Sequence, residues 1–200
     1  MYELENGKMD LRKTRTQKLI QDTFKEMLCE MDIERITVKE LTDRAMINRK
    51  TFYFHYDTIE QLVDLLLEQV TREYINTFEQ LPEGRPHEDA NAVFFRFFSN
   101  QPDWFQKIIN YPSYSSLCNQ VFDKAYYHAL EKTPNPDWKR LPQSVQNMIA
   151  IYYRSATLDL YRQWYRERER LTIDDAIFIS NNLICNGANS VDRIISGYLK

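Results

Sequence analysis

Residues 37 to 56 leave room for two helices of only about two turns each, and they lie between two much longer amphipathic stretches. Thr37-Val38-Lys39-Glu40 is a capping box, in which the Thr hydroxyl takes a backbone N–H and Glu40 reaches back. Val38, Leu41 and Ala45 follow as the inner face of the first short helix. Met46 and Ile47 make a turn, and Asn48 caps a second short helix that runs through about Phe54. Upstream, Leu19/Ile20, Phe24, Met27/Leu28 and Met31 recur every three to four residues, which predicts a helix ending near Asp32. Downstream, Thr58-Ile59-Glu60-Gln61 opens a second capping box. It starts a long helix with Ile59, Leu62, Leu65/Leu66, Gln69/Val70 and Phe78 near one face. The order long, short, short, long, with a polar and basic second short helix, is the layout of a helix-turn-helix.

The remainder is read as helical as well. Gly is scarce at four residues, and the seven Pro fall between apolar runs, not inside them. Helical segments are expected at roughly 88–99, 101–110, 113–132, 142–169 and 172–197, and nothing reads as strand. The predicted fold class is all-α. The expected organisation is an arm and helix-turn-helix domain over 1–57, a connecting helix over 58–80, and a second helical domain over 81–200. Residues 1 to about 10 read as a flexible arm. Cys29, Cys118 and Cys185 are isolated and odd in number, and read as buried small hydrophobes in a reducing compartment. The N-terminus lacks a basic segment followed by an apolar core, and no stretch is apolar enough for a membrane helix, so a cytoplasmic protein is expected.

Net charge is −3, so any affinity for nucleic acid must come from local patches. Residues 8–18 carry five Lys/Arg against one acid, and residues 44–56 carry three with no acid. Residues 20–43 between them carry three bases and seven acids. That pattern predicts one basic face on a small domain. Arg49 and Lys50 can donate to guanine or phosphate, and Asn48 can pair with adenine or cap its helix. Thr51, Tyr53 and His55 carry donors suited to phosphate oxygens, with Phe52 and Tyr56 on the buried side. Thr37 presents the N-terminus of the preceding helix to a phosphate. Arg12, Lys13 and Arg15 reach the adjacent backbone or minor groove. The expected partner is double-stranded DNA. Catalysis is not expected, because no Ser/His/Asp or Cys/His ordering, metal-ligand spacing or Gly-rich phosphate loop is present. No cofactor or metal is expected either.

These residues carry a resemblance. Ile36 through Ala45, then Asn48-Arg49-Lys50-Thr51-Phe52-Tyr53-Phe54-His55-Tyr56, then Glu60-Gln61-Leu62, resemble the N-terminal signature of the TetR family of repressors over about residues 11 to 70. The resemblance implies a homodimer on a palindromic operator, a pocket for a small-molecule effector in the C-terminal domain, and release of DNA when the effector binds. Three positions depart from the pattern. Met46 stands where the family usually has the turn Gly, so the turn is expected to form without a residue at positive φ. Lys50 stands at a second usual Gly, and Ile59 replaces a common phosphate-contacting Lys. The same three residues keep open an alternative, a partner-dependent coactivator on the same scaffold.

In the C-terminal half, Phe95, Phe98, Trp104, Tyr111, Tyr127 and Tyr153 read either as the lining of an effector pocket or as large core fillers. The last two helices carry long apolar stripes. By resemblance these imply a four-helix dimer interface that includes Leu160, Trp164, Ile177, Leu183, Ile184, Gly187 and Val191. Trp164, the charged run Arg166 to Arg170 and a final helix with small residues are also loosely similar to a subgroup related to dihydroxyacetone-kinase regulators.

Overall fold

The computed structural model describes the backbone of residues 2–80, 87–131 and 137–184. Side chains are described within those stretches from residue 11 onward, except at 87–89, 113, 117, 121, 124, 125 and 128–131. The chain runs α1 (Tyr2–Glu30), α2 (Val38–Arg44), α3 (Arg49–His55), α4 (Ile59–Glu79), α5 (His87–Ser99), α6 (Asp103–Asn110), α7 (Ser115–Glu131) and α8 (Gln143–Glu167). A further helix, α9, is described over 173–184. Short 3-10 turns occupy Ile33–Arg35, Pro112–Tyr114 and Trp138–Arg140. Among the described residues there is no strand.

The expected arm at residues 1–10 is instead continuous with the first helix, because α1 begins at Tyr2. The segment contains no Pro to interrupt it. Its single Gly7 costs only about 1 kcal/mol relative to Ala in a helix interior.

The chain divides into two compact units. The first holds residues up to Glu68 together with Pro102–Tyr111, and the second holds Gln69–Gln101 and the chain from Pro112 onward. In the first unit, Ile20, Phe24, Met27 and Leu28 of α1 are fully buried, with Leu41 of α2, Phe52 of α3 and Leu62 and Leu66 of α4. Each such Leu, Ile or Phe stabilises the fold by about 1.5–3 kcal/mol relative to exposure. The sequence placed 101–110 in the C-terminal half, but α6 packs on α1. Phe105, Ile108 and Ile109 form its buried face. Lys107 Nζ donates to the Cys29 carbonyl at 2.8 Å, which satisfies one of the last acceptors of α1. The Lys25 ammonium lies 5.4 Å from the centre of the Trp104 ring.

The second unit is built around aromatic rings. Phe94 and Phe98 lie 4.6 Å apart, and Phe98 sits 5.0 Å from both Tyr74 and Phe122. Tyr161 and Trp164 of α8 close on Phe95. A second cluster joins Trp138, Leu141, Val145, Ile149 and Tyr153 to Ile184 of α9. Asn91 of α5 is buried and donates to Ser180 Oγ at 3.1 Å and Asn181 Oδ1 at 2.7 Å, tying α5 to α9 by polar contacts.

Candidate nucleic-acid interface

The turn between α2 and α3 is set by backbone chemistry. Ile47 N donates to the Thr42 carbonyl at 3.0 Å, and Met46 N to the Asp43 carbonyl at 3.3 Å. This pair of bonds is a Schellman stop, which needs a left-handed residue between the helix and the chain that leaves it. Met46 is that residue, at φ 51°. The expectation of a turn without positive φ is therefore corrected. The geometry is retained without glycine, and Met46 carries the strain while its side chain is 91% exposed.

Caps fix where the short helices begin. Glu40 N donates to Thr37 Oγ1 at 3.2 Å at the start of α2. At the start of α3, Thr51 N donates to Asn48 Oδ1 at 2.8 Å, and Thr51 Oγ1 donates to the same oxygen at 3.0 Å. Of the two roles open to Asn48, the cap is the one it fills in this state. At α4, Gln61 N donates to Thr58 Oγ1 at 3.1 Å, while the Gln61 side chain accepts from Asp57 N.

One side of α3 is spent on packing. Phe52 and Tyr56 are buried, and Gln21 Nε2 of α1 donates to the Tyr56 hydroxyl at 3.0 Å. Burial pushes the Tyr56 phenol up, so it stays protonated. The other side is open. Arg49 and Lys50 are exposed, Tyr53 is 55% exposed, and α3 carries no carboxylate. Thr51 and His55 are half-buried. His55 is held below its ordinary range, first by burial and then by the nearby Lys13 ammonium. Arg12, Lys13 and Arg15 are exposed along α1. Within the first unit, Lys13 is placed against α3, with its Nζ 5.8 Å from the centre of the Phe54 ring. Ile59 is buried at the start of α4.

Phe54 is the residue the sequence reading passed over. It is 72% exposed, beside Lys50 on the open side. A helical wheel carries the signal, since Phe52 and Tyr56 define the inner face and Phe54 stands one turn after Lys50. Cys29 is exposed, which corrects its reading as a buried hydrophobe. Cys118 is buried, which pushes its thiol up to about 11, and Cys185 lies outside the described residues.

The six aromatic residues read as pocket or core are distributed over both units. Phe95 and Phe98 are fully buried in the aromatic core of the second unit. Tyr153 stacks on Tyr126 at 5.7 Å, and the Tyr127 hydroxyl donates to Asn147 Oδ1 at 2.9 Å. Trp104 and Tyr111 belong to the first unit, where Tyr111 faces Glu34. The residues named for a dimer interface also divide. Trp164, Ile177 and Ile184 are buried within the single chain, and Trp164 Nε1 donates to the Leu171 carbonyl at 3.0 Å. Leu160 is half-buried against the second cluster, and Leu183 is exposed. Gly187 and Val191 lie outside the described residues. The apolar side chains left open on these helices are Met148, Ile151 and Tyr152 on α8, and Phe178, Ile179 and Leu183 on α9.

An all-α chain with a capped short helix, a left-handed turn and a second short helix open to solvent on its basic side has the fold of the TetR-type regulators. Three of the solved structures similar to this chain illustrate it. A TetR transcriptional regulator from Streptococcus agalactiae 2603V aligns with TM-score 0.65 and 19% identity, over 88% of this chain and 97% of that one. A tetR-family transcriptional regulator from Streptomyces coelicolor aligns at 0.59 and 13%, over 92% and 83%. The dihydroxyacetone kinase operon activator DhaS aligns at 0.51 and 18%, over 86% and 95%. In sequence, the uncharacterized HTH-type transcriptional regulator YxbF of Bacillus subtilis (strain 168) is 31% identical over 100 residues, or 47% of this chain. The match spans only 26% of the length of YxbF. No sequence-family model matches this chain. Among the described residues, no helix is long and apolar enough to cross a membrane.

Proposed function

We propose that this protein is a DNA-binding transcriptional regulator that places α3 in the major groove of a palindromic operator as a homodimer. The observation that carries the reading is the division of α3. Phe52 and Tyr56 anchor it, while Arg49, Lys50 and Tyr53 are exposed, Lys13 lies against Phe54, and the helix carries no carboxylate. A dimer spaces two such helices roughly 34–36 Å apart, in successive major grooves. The exposed apolar side chains of α8 and α9 are the surface we assign to dimerisation. Repression, relieved by a small-molecule effector acting on the second unit, is the output we assign from the resemblance of residues 36–62 to the TetR repressors. The effector lowers DNA affinity by its preference for the state that binds DNA less well.

Selection from a random duplex pool by the full-length protein tests this, with recovery of a two-fold symmetric site expected. Arg49→Ala and Tyr53→Ala are expected to weaken binding to that site about tenfold or more, with the helical circular dichroism spectrum unchanged. Normal binding by both variants removes α3 from the reading role. The likeness to DhaS, an operon activator, supports a second reading as a partner-dependent coactivator. A folded dimer that enriches no duplex alone, and does so once a partner is added, favours that second reading.

A further inference from the structure

The open side of α3 is not uniformly polar. Phe54 presents 72% of its surface to solvent on the helix that carries Arg49 and Lys50. Its ring is not loose: His55 meets it edge-on at 5.2 Å and 87°, and the Lys13 ammonium lies 5.8 Å from its centre. A cation over an aromatic face restrains the ring and places positive charge directly beside it. Lys50 precedes it by one helical turn on the same side and is exposed, as is Arg49 at the start of the helix. An apolar ring with one lysine against it and a second one helical turn before it is matched to a polyanion that carries an apolar group at its edge. In the major groove only thymine offers one, its C5-methyl, while the other bases present hydrogen-bonding groups alone.

We propose that Phe54 is a specificity-determining residue that packs on a thymine methyl and selects a T·A pair at one position of each half-site. This rests on the reading of α3 as the helix that enters the major groove. Lys13 acts here as a positioning residue, holding the ring toward the base while its ammonium faces the phosphate backbone. The arrangement separates two tasks along one helix: Arg49 and Lys50 supply donors, and Phe54 supplies shape against a methyl group.

The test uses the full-length protein and the duplex recovered by selection. Each thymine of a half-site is replaced in turn by deoxyuridine, which removes the methyl group and leaves every hydrogen-bonding edge in place. At one position the wild-type affinity is expected to fall about three- to tenfold, as the loss of one buried methyl group implies. Phe54→Ala is expected to bind the unmodified site more weakly and to be indifferent to uracil at that position. Phe54→Leu, which keeps an apolar side chain, is expected to retain part of the sensitivity. Unchanged melting of both variants separates these effects from misfolding. If no position responds to uracil, or if Phe54→Ala keeps the wild-type response, the proposal is overturned while DNA binding stands. Full affinity of Phe54→Ala with an unchanged uracil profile overturns it too, and points to a protein partner on this face. If no duplex is enriched at all, the DNA-binding reading falls and this assignment falls with it.

Discussion

His55 stands half-buried at the last turn of α3, between its packed and its open side. Its Nδ1 is buried with no hydrogen-bond partner among the described residues, and burial together with Lys13 lowers its pKa from the ordinary 6.5. The folded protein therefore favours the neutral ring, and the unfolded chain binds the proton more readily. Unfolding then takes up protons as pH falls below about 6.5, so the stability contributed by this site is complete above that pH and declines below it, toward the lowered folded value. The midpoint of denaturant unfolding is expected to drop between pH 7.5 and pH 5.5, and His55→Gln is expected to flatten part of that slope. His87 and His128 are present in both proteins, so the difference isolates His55. An identical slope in the variant refutes the assignment. Met46 offers a second residue-scale prediction. At φ 51° it bears the steric cost that glycine avoids, while its side chain is almost wholly in solvent. Met46→Gly is expected to stabilise the protein by about 1 kcal/mol in urea unfolding, since relief of left-handed strain outweighs the added freedom of the unfolded chain. A destabilised variant shows that the methionine side chain contributes something its exposure does not reveal.

At the scale of the element, α3 is seven residues long, too short to persist through its own propensity. It holds through Phe52 and Tyr56 below and the Asn48 cap at its start. Asn48→Ala removes an acceptor for both Thr51 N and Thr51 Oγ1, and is expected to cost about 1 kcal/mol. Asn48→Asp, which retains the acceptor, is expected to be near wild type in stability, while its negative charge lowers DNA affinity. Equal stability in all three proteins shows that packing alone sets the helix start. The starts of α2, α3 and α4 were legible because a cap is written within four residues: Thr37, Asn48 and Thr58 each accept the bond their spacing predicts. The inner face of α3 was legible for the same reason, as period alone separates Phe52 and Tyr56 from Arg49 and Lys50. What depends on distant partners was not legible. The short amphipathic α6 reads alike whichever unit covers it, and Lys107 meeting the end of α1 at Cys29 spans 78 positions of sequence. The stripes of α8 and α9 are apolar on two sides, so local pattern could not assign Trp164, Ile177 and Ile184 to the protomer core. Nor does any local rule place a left-handed turn on a methionine.

At the scale of the whole molecule, those two-sided stripes give the proposed dimer its sharpest test. On α9 the inner side is taken by Ala176, Ile177, Ser180 and Ile184, leaving Phe178 69% exposed with Ile179 and Leu183 beside it. On α8, Met148 is 74% exposed and Ile151 and Tyr152 share its face at helical spacing. Several large apolar side chains left in water on neighbouring stretches of chain mark an association surface, whereas scattered single ones do not. Phe178→Asp with Ile151→Asp places charge on that surface without opening the core. The double variant is expected to sediment as a monomer with unchanged helical content, and to lose at least tenfold in operator affinity, because each half-site must then be bound independently. Trp164→Ala makes the contrasting case. It removes a buried ring packed on Phe95 and Tyr161 together with the bond to Leu171, and is expected to destabilise the protomer by about 3–5 kcal/mol. Dimer loss in that variant is then expected only along with unfolding. The two outcomes separate the faces of one helix pair: a monomer that stays folded places the interface on the exposed side, and a dimer that survives both aspartates moves it elsewhere.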